Sequence, residues 1–288
     1  MRNQAIFINR ISDTINGIEI NVYELDESNQ SMDAVNYLES YLMGKIKAMK
    51  MHQDFIVNDV FNVPILEKEY IDRINQEIQK VNNPAYSRLN WFDVRRSRVT
   101  EFMSQLLLEK EYQCTFFKEA DKRINLSAYE ADKHVSGIDV TGIQEQGEGF
   151  KFVLCEVKAS KEKRIPCSSA SGLLSDISSA YTNSKRVLRE IESFYRKWDG
   201  DLEKSEVKNI RVFLNEILRN STSQRVNLEN ILFIPFLIRS NPETIEAKSL
   251  EDFWELDLER IIEGDLKGIL WAINFDINCL FNYKKFSN

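Results

Sequence analysis

The sequence predicts a mixed α/β fold, and three observations carry that expectation. Apolar residues recur at helical spacing in some segments and run or alternate as strands do in others. In the middle of the chain these segments follow the order helix, strand, strand, strand, helix, strand. The composition, 43% hydrophobic and 29% charged, is ordinary for a globular chain. With 288 residues there is enough sequence for a full core in one large domain or two smaller ones.

The elements are expected in this order. "AIFINRI" and "GIEINVYEL" read as two strands around "SDTING", whose Asn-Gly step suits a hairpin turn. "SMDAVNYLESYLMGKIKAMK" has helical spacing behind a serine suited to an N-cap. "ILEKEYIDRINQEIQKV" repeats that pattern and stops at "NNP". A soft boundary near residues 83–90 then divides the chain. Residues 1–88 are expected to form an α+β region packed on the core, and residues 89–288 the main module with a helical C-terminal extension.

The main module opens with "NWFDVRRSRVTEFMSQLLLEKEY", a helix with Val94, Val99, Phe102, Leu106 and Leu107 on one broad face. "QCTFFKEA" is a short strand. "VSGIDVTGI" and "FKFVLCEVKA" are two more, joined as a hairpin across "QEQGEG". "IPCSSASGLLSDISSAYTNSKRVLREIESFYRKW" reads as one long helix with Pro and Ser start signals. "EVKNIRVFLNEILRNS" is another helix, "NILFIPFLIRS" a buried strand, and "LERIIEGDLKGILWAINFDINCLF" a mostly helical tail.

Composition excludes several chemistries. Four cysteines without a CxxC pair read as small buried hydrophobes rather than a zinc site or disulfide frame. Two histidines, His52 and His134, leave little material for a His-rich metal centre or a Ser-His-Asp machine. No stretch approaches the roughly 20 apolar residues of a membrane span, and the N-terminus carries no cleavable signal pattern. A cytoplasmic protein without membrane contact is the expectation. Net charge is −7, yet residues 94–198 hold 18 of the 38 Lys/Arg and only 15 of the 45 Asp/Glu. Only this centre offers a polyanion a modest attraction.

Charges inside strands point to chemistry. Asp139 interrupts an Ile/Val run in "HVSGIDVTG", and Glu156 and Lys158 end "FKFVLCEVKAS". Burying such groups is costly unless they are paired or hold a metal. Strand alternation sends Glu156 and Lys158 to the same side, and a hairpin would bring Asp139 beside Glu156. Two close carboxylates resist ionising together unless a cation lies between them. Mg²⁺ suits that task, since it takes one or two carboxylates and keeps several waters. Lys158 would then hold and polarise a water for attack on phosphorus.

The order "GID", strand, "EVK" resembles the signature of the PD-(D/E)xK nuclease superfamily. The resemblance covers residues 94–240 and implies a restriction-endonuclease-like αβββαβ core with a mixed central sheet flanked by helices. It implies Asp139 as the motif aspartate, Glu156 and Lys158 as the acidic/lysine pair, and Glu101 as the glutamate of the first core helix. Asp139, Glu156 and Glu101 would hold Mg²⁺ or Mn²⁺, with Lys158 assisting the water. The implied substrate is DNA, RNA not being excluded. Length, layout and the "GID…CEVK" region also resemble the nuclease subunit of the Hachiman anti-phage system, a family that pairs with a helicase. A restriction-type endonuclease fits the same residues. So does a noncatalytic nucleic-acid-binding or partner-binding subunit of the same fold.

Arg95, Arg96 and Arg98 on the first core helix, and Lys161, Lys163 and Arg164 after the "EVK" strand, are the nucleic-acid contacts expected. A plain exposed helix face accounts for the three arginines equally well. Ser169, Asp176 and Lys185 on the following helix read as a solvated face, and His134 as a strand-edge residue. Phe116, Phe117, Phe150 and Phe152 read as core.

Overall fold

A computed structural model of the chain describes residues 7–15, 17–25, 37–38, 40–42, 45, 90–116, 138–147, 149–197, 205–221, 226, 228–240, 249–253 and 265–272. The first hairpin forms as its turn chemistry demands. Strands β1 (Phe7–Ile15) and β2 (Ile18–Leu25) pair antiparallel with Ile15 opposite Ile18. Gly17 closes that two-residue turn at φ +82°, a conformation glycine adopts without a Cβ clash. Residues 37–38, 40–42 and 45 are helical, as the first helical pattern predicts. The second, at 65–81, lies outside the described residues.

The main module starts with helix α1 (Asn90–Glu111). Strands β3 (Cys114–Thr115), β4 (Val140–Gln146) and β5 (Gly149–Ser160) form an antiparallel meander. Gly147 takes φ +55° in the β4–β5 turn. Helices α2 (Ser168–Thr182), α3 (Ser184–Lys197) and α4 (Ser205–Arg219) precede β6 (Ile231–Arg239). A 3₁₀ turn at Ser249–Phe253 and strand β7 (Asp265–Ala272) complete the described elements.

Three sequence expectations are corrected here. The long helix over residues 165–198 is two helices. Asn183 ends α2 at φ −102°, ψ 82°, and its side-chain Oδ1 accepts the Arg186 N–H at 3.1 Å to start α3. Asparagine competes for backbone partners in this way, and caps helices better than it continues them. The expected helical tail is a strand at 265–272. There Ile269, Leu270 and Trp271 are fully buried, each stabilising by roughly 1.5–3 kcal/mol over exposure. A strand covered on both faces buries consecutive residues, so its sequence shows no alternation to set it apart from a buried helix. Finally, Asp139 sits in a bend just ahead of β4 rather than within the strand.

The seven described strands form one mixed sheet in the order β1-β2-β7-β6-β5-β4-β3. The centre, β2-β7-β6-β5, is parallel, and the three outer pairings, β1-β2, β5-β4 and β4-β3, are antiparallel. The N-terminal hairpin therefore extends the same sheet as the main module. Pro235 stands in the middle of β6, an unusual place for a residue without an N–H. Pairing of β6 with β7 lapses there, between Phe233↔Leu266 and Phe236↔Ile269, while pairing with β5 runs on unbroken.

Helices cover both faces. Phe102, Met103 and Leu106–Leu108 of α1, with Leu38 and Leu42, pack on the face of Val153, Cys155, Val157, Ile234 and Trp271. The other face carries Phe152, Leu154 and Phe233 under α3 and α4, and Ile20, Leu237 and Leu270 under the start of α2 and Phe253. Cys114, Cys155 and Cys167 are buried free thiols, and Cys279 lies outside the described residues.

Candidate functional site

The β4–β5 register builds the site. Val140 pairs with Cys155, so one step further the same register sets Asp139 opposite Glu156. The backbone N–H of Val157 donates to Asp139 Oδ2 at 2.7 Å, which turns the bend inward and holds the carboxylate against β5. Leu154, Glu156 and Lys158 alternate onto one face of β5. Glu156 is 3% exposed and Lys158 is half-buried. The charged pair lies where the strand passes out from under Phe152 and Leu154.

The Asp139 and Glu156 carboxyls face each other across the two strands, and both are pushed toward the protonated form. For Asp139 burial is the main cause, opposed by the Val157 N–H and the nearby Lys158 ammonium. For Glu156 burial and the Asp139 charge push the carboxyl up to about 8, against the pull of Arg186. Two buried acids this close share a proton unless a further positive charge arrives.

Two cations stand at the site, Arg186 from α3 and Lys158 from β5. Arg186 Nη2 lies 2.6 Å from Glu156 Oε1. Lys158 Nζ lies 2.8 Å from Asp176 Oδ2 on α2. Burial pulls Lys158 down, but the hydrogen bond and charge of Asp176, with Asp139 and Glu156 beyond, hold it above its ordinary value. Asp176 is thus part of the cluster and not simply a solvated helix position. Arg186 was not visible as a site residue from sequence. Its one signal is the polar trio Thr182-Asn183-Ser184, a breaker inside a helical pattern. The break gives α3 its own start, and Arg186 stands in its first turn.

The remaining candidates are dispersed. Glu101 is 5% exposed on α1, and α1 packs on the sheet face opposite to that of Glu156 and Lys158. Arg95, Arg96 and Arg98 lie on α1, with side chains outside the described residues. Lys161, Lys163 and Arg164 are exposed on the segment that leaves β5. Arg164 Nε is tied to Glu162 Oε2 at 2.7 Å, and Glu162 also accepts the Ser168 N–H and O–H at the start of α2. Ser169 Oγ donates to the Ala159 carbonyl, Lys185 is exposed, and His134 and Phe117 lie outside the described residues. Phe152 packs in the core, and Phe116 and Phe150, partly buried, pack against it.

Among the described residues, no group of three or more His, Cys, Asp and Glu side chains is arranged to hold a metal ion. The donors on offer are the two carboxyls of Asp139 and Glu156. Their placement opposite each other and their common upward shift leave them short of positive charge, and a hard divalent ion with its own waters suits two such carboxylates. Among the described residues no helix is long and apolar enough to cross a membrane. No protein-family model matches this chain, and no curated protein matches it.

Proposed function

We propose that the chain is a divalent-metal-dependent nuclease of the PD-(D/E)xK kind, hydrolysing phosphodiester bonds of DNA. The observation that carries this reading is the Asp139–Glu156 carboxyl pair with Lys158 one side chain further along the same strand face. The order α1, β3, β4, β5, helix, β6 supports a restriction-endonuclease-like core, with three helices between β5 and β6. Asp139 and Glu156 would hold Mg²⁺ or Mn²⁺, which supplies charge neutralisation and a more acidic water. Asp139 is positioned by the Val157 N–H, and Glu156 by strand register. Lys158, held charged by Asp176, steadies the attacking water and the negative charge that develops on the phosphoryl oxygens. Lys161 and Lys163 stand next in the chain, where they would meet a phosphate backbone.

The acidic surplus outside residues 94–198 supports delivery of the substrate by a partner, because few neutralised phosphates mean weak unaided grip. A helicase partner in an anti-phage defence system, as in Hachiman, fits that need. The second reading is a noncatalytic nucleic-acid-binding or partner-binding subunit. The Arg186–Glu156 ion pair favours it, since it supplies the acid with a cation from the protein itself.

The test offers plasmid, linear DNA and RNA to the purified protein with Mg²⁺ or Mn²⁺. The nuclease reading expects cleavage that Glu156→Ala and Lys158→Ala each abolish. Nucleic-acid binding without cleavage, unchanged by either substitution, would establish the second reading instead.

A further inference from the structure

We infer that Arg186 is a built-in competitor of the divalent cation, occupying Glu156 until a substrate phosphate draws it away. This deepens the nuclease reading and rests on it. Arg186 Nη2 sits 2.6 Å from Glu156 Oε1, one of the few oxygens the site offers a metal. The Glu156 side chain is 4% exposed and that of Arg186 22%, so water screens the pair poorly. A guanidinium on Oε1 and a divalent ion on the same buried carboxylate repel, and each weakens the other's hold on it. Metal binding is therefore tighter once the guanidinium retreats.

The fold gives it room to do so. The Arg186 backbone is fixed, since its N–H is held by the Asn183 carbonyl at 2.9 Å and by Asn183 Oδ1 at 3.1 Å. The long side chain above that anchor is partly exposed and bends about several single bonds. Its planar fork matches two phosphate oxygens as well as it matches a carboxylate. A phosphodiester arriving at the site offers Arg186 an alternative anion and frees Glu156 for the metal in the same event. Substrate and metal then bind with positive coupling, and by linkage each tightens the other to the same degree. A nuclease built this way is held back while no nucleic acid is present.

The experiment is a calorimetric Mn²⁺ titration of the full chain, with and without a short DNA duplex of cleavage-resistant phosphorothioate linkages. Wild type, Arg186→Gln, Arg186→Lys and Glu156→Gln are compared. Without DNA, Arg186→Gln is expected to bind Mn²⁺ roughly tenfold more tightly, within the usual range of site coupling, and Arg186→Lys to stay near wild type. DNA is expected to tighten Mn²⁺ binding to wild type and to leave Arg186→Gln little changed. Arg186→Met, close in length, replaces the Gln variant if that one does not fold. Unchanged or weaker Mn²⁺ binding in Arg186→Gln, with binding lost in Glu156→Gln, overturns the inference and leaves the nuclease reading standing. Absence of Mn²⁺ binding from wild type and Arg186→Gln alike, with and without DNA, overturns both.

Discussion

The Val157 backbone N–H donates to Asp139 Oδ2 at 2.7 Å, so the bend before β4 is fastened to the strand that carries Glu156 and Lys158. This bond makes the position of Asp139 a property of the backbone rather than of a metal. Asp139→Asn keeps an oxygen for Val157 and removes the charge that crowds Glu156. Its expected outcome is a cleavage rate lower by roughly 100-fold or more, with stability at pH 8 unchanged or raised. Asp139→Ala leaves the Val157 N–H without that acceptor and is expected to cost about 1–3 kcal/mol as well. Urea unfolding beside a plasmid assay distinguishes the two variants, and equal stability for both would show that the bond carries no weight.

Glu156 predicts a pH dependence with a definite sign. Its carboxyl is raised by burial and by Asp139 to about 8 in the folded chain, from an ordinary value of 4.5. Between these values the folded state keeps a proton that the unfolded state has released. Stability of the metal-free protein therefore falls as pH rises from about 5 to about 8, and then levels with respect to this group. Asp139, Asp252 and Glu111 are raised too and act in the same direction. Melting temperature against pH is the measurement, and Glu156→Gln should flatten the slope. A steeper slope in that variant would contradict the assignment.

Lys158 and Asp176 are each more than a third exposed, so their ion pair adds only about 0–1 kcal/mol to stability. Its effect should appear in the reaction instead. Asp176→Asn keeps a neutral partner but withdraws the charge that holds Lys158 high. The expected result is near-wild-type unfolding with cleavage about tenfold slower, less than the roughly 10²–10⁴-fold that a positioned acid–base group supplies, because Lys158 itself stays in place. The alkaline limb of the cleavage profile should move to lower pH. A parallel loss of stability and activity, with no movement of that limb, would reduce Asp176 to a structural role.

Further along β6, Arg239 Nε lies 3.3 Å from Asp252 Oδ2, and both side chains are at most 1% exposed. Asp252 Oδ1 also accepts the Cys167 N–H at 2.7 Å, joining β6 and the 3₁₀ turn to the start of α2. Removing one partner strands a buried charge, so Asp252→Ala is expected to cost about 3–5 kcal/mol in urea unfolding. Substituting both residues with apolar side chains should recover much of that loss. A single variant within about 1 kcal/mol of wild type would mean that water reaches the pair after the change.

The sequence by itself determined those features whose causes are local. The β1–β2 hairpin follows from Asn-Gly chemistry, and β4–β5 from apolar and β-branched runs across a glycine-bearing turn. In an antiparallel hairpin the turn sets the register, and the register sets Asp139 opposite Glu156, so that pair was legible without coordinates. Helix α1 showed its period, and β6 its unbroken apolar run. Tertiary structure alone decided the rest. Residues 265–272 become β7 because β2 and β6 flank them in the sheet, and helices cover both faces. Arg186 joins the site because α3 begins anew at Asn183, and Asp176 joins because α2 lies over the β5 face of Lys158. Those partners are separated by long stretches of sequence, and no periodicity within either segment records which surface it will meet. Short-range turns and alternation are written residue by residue, whereas the charge that answers a buried carboxylate is chosen by packing.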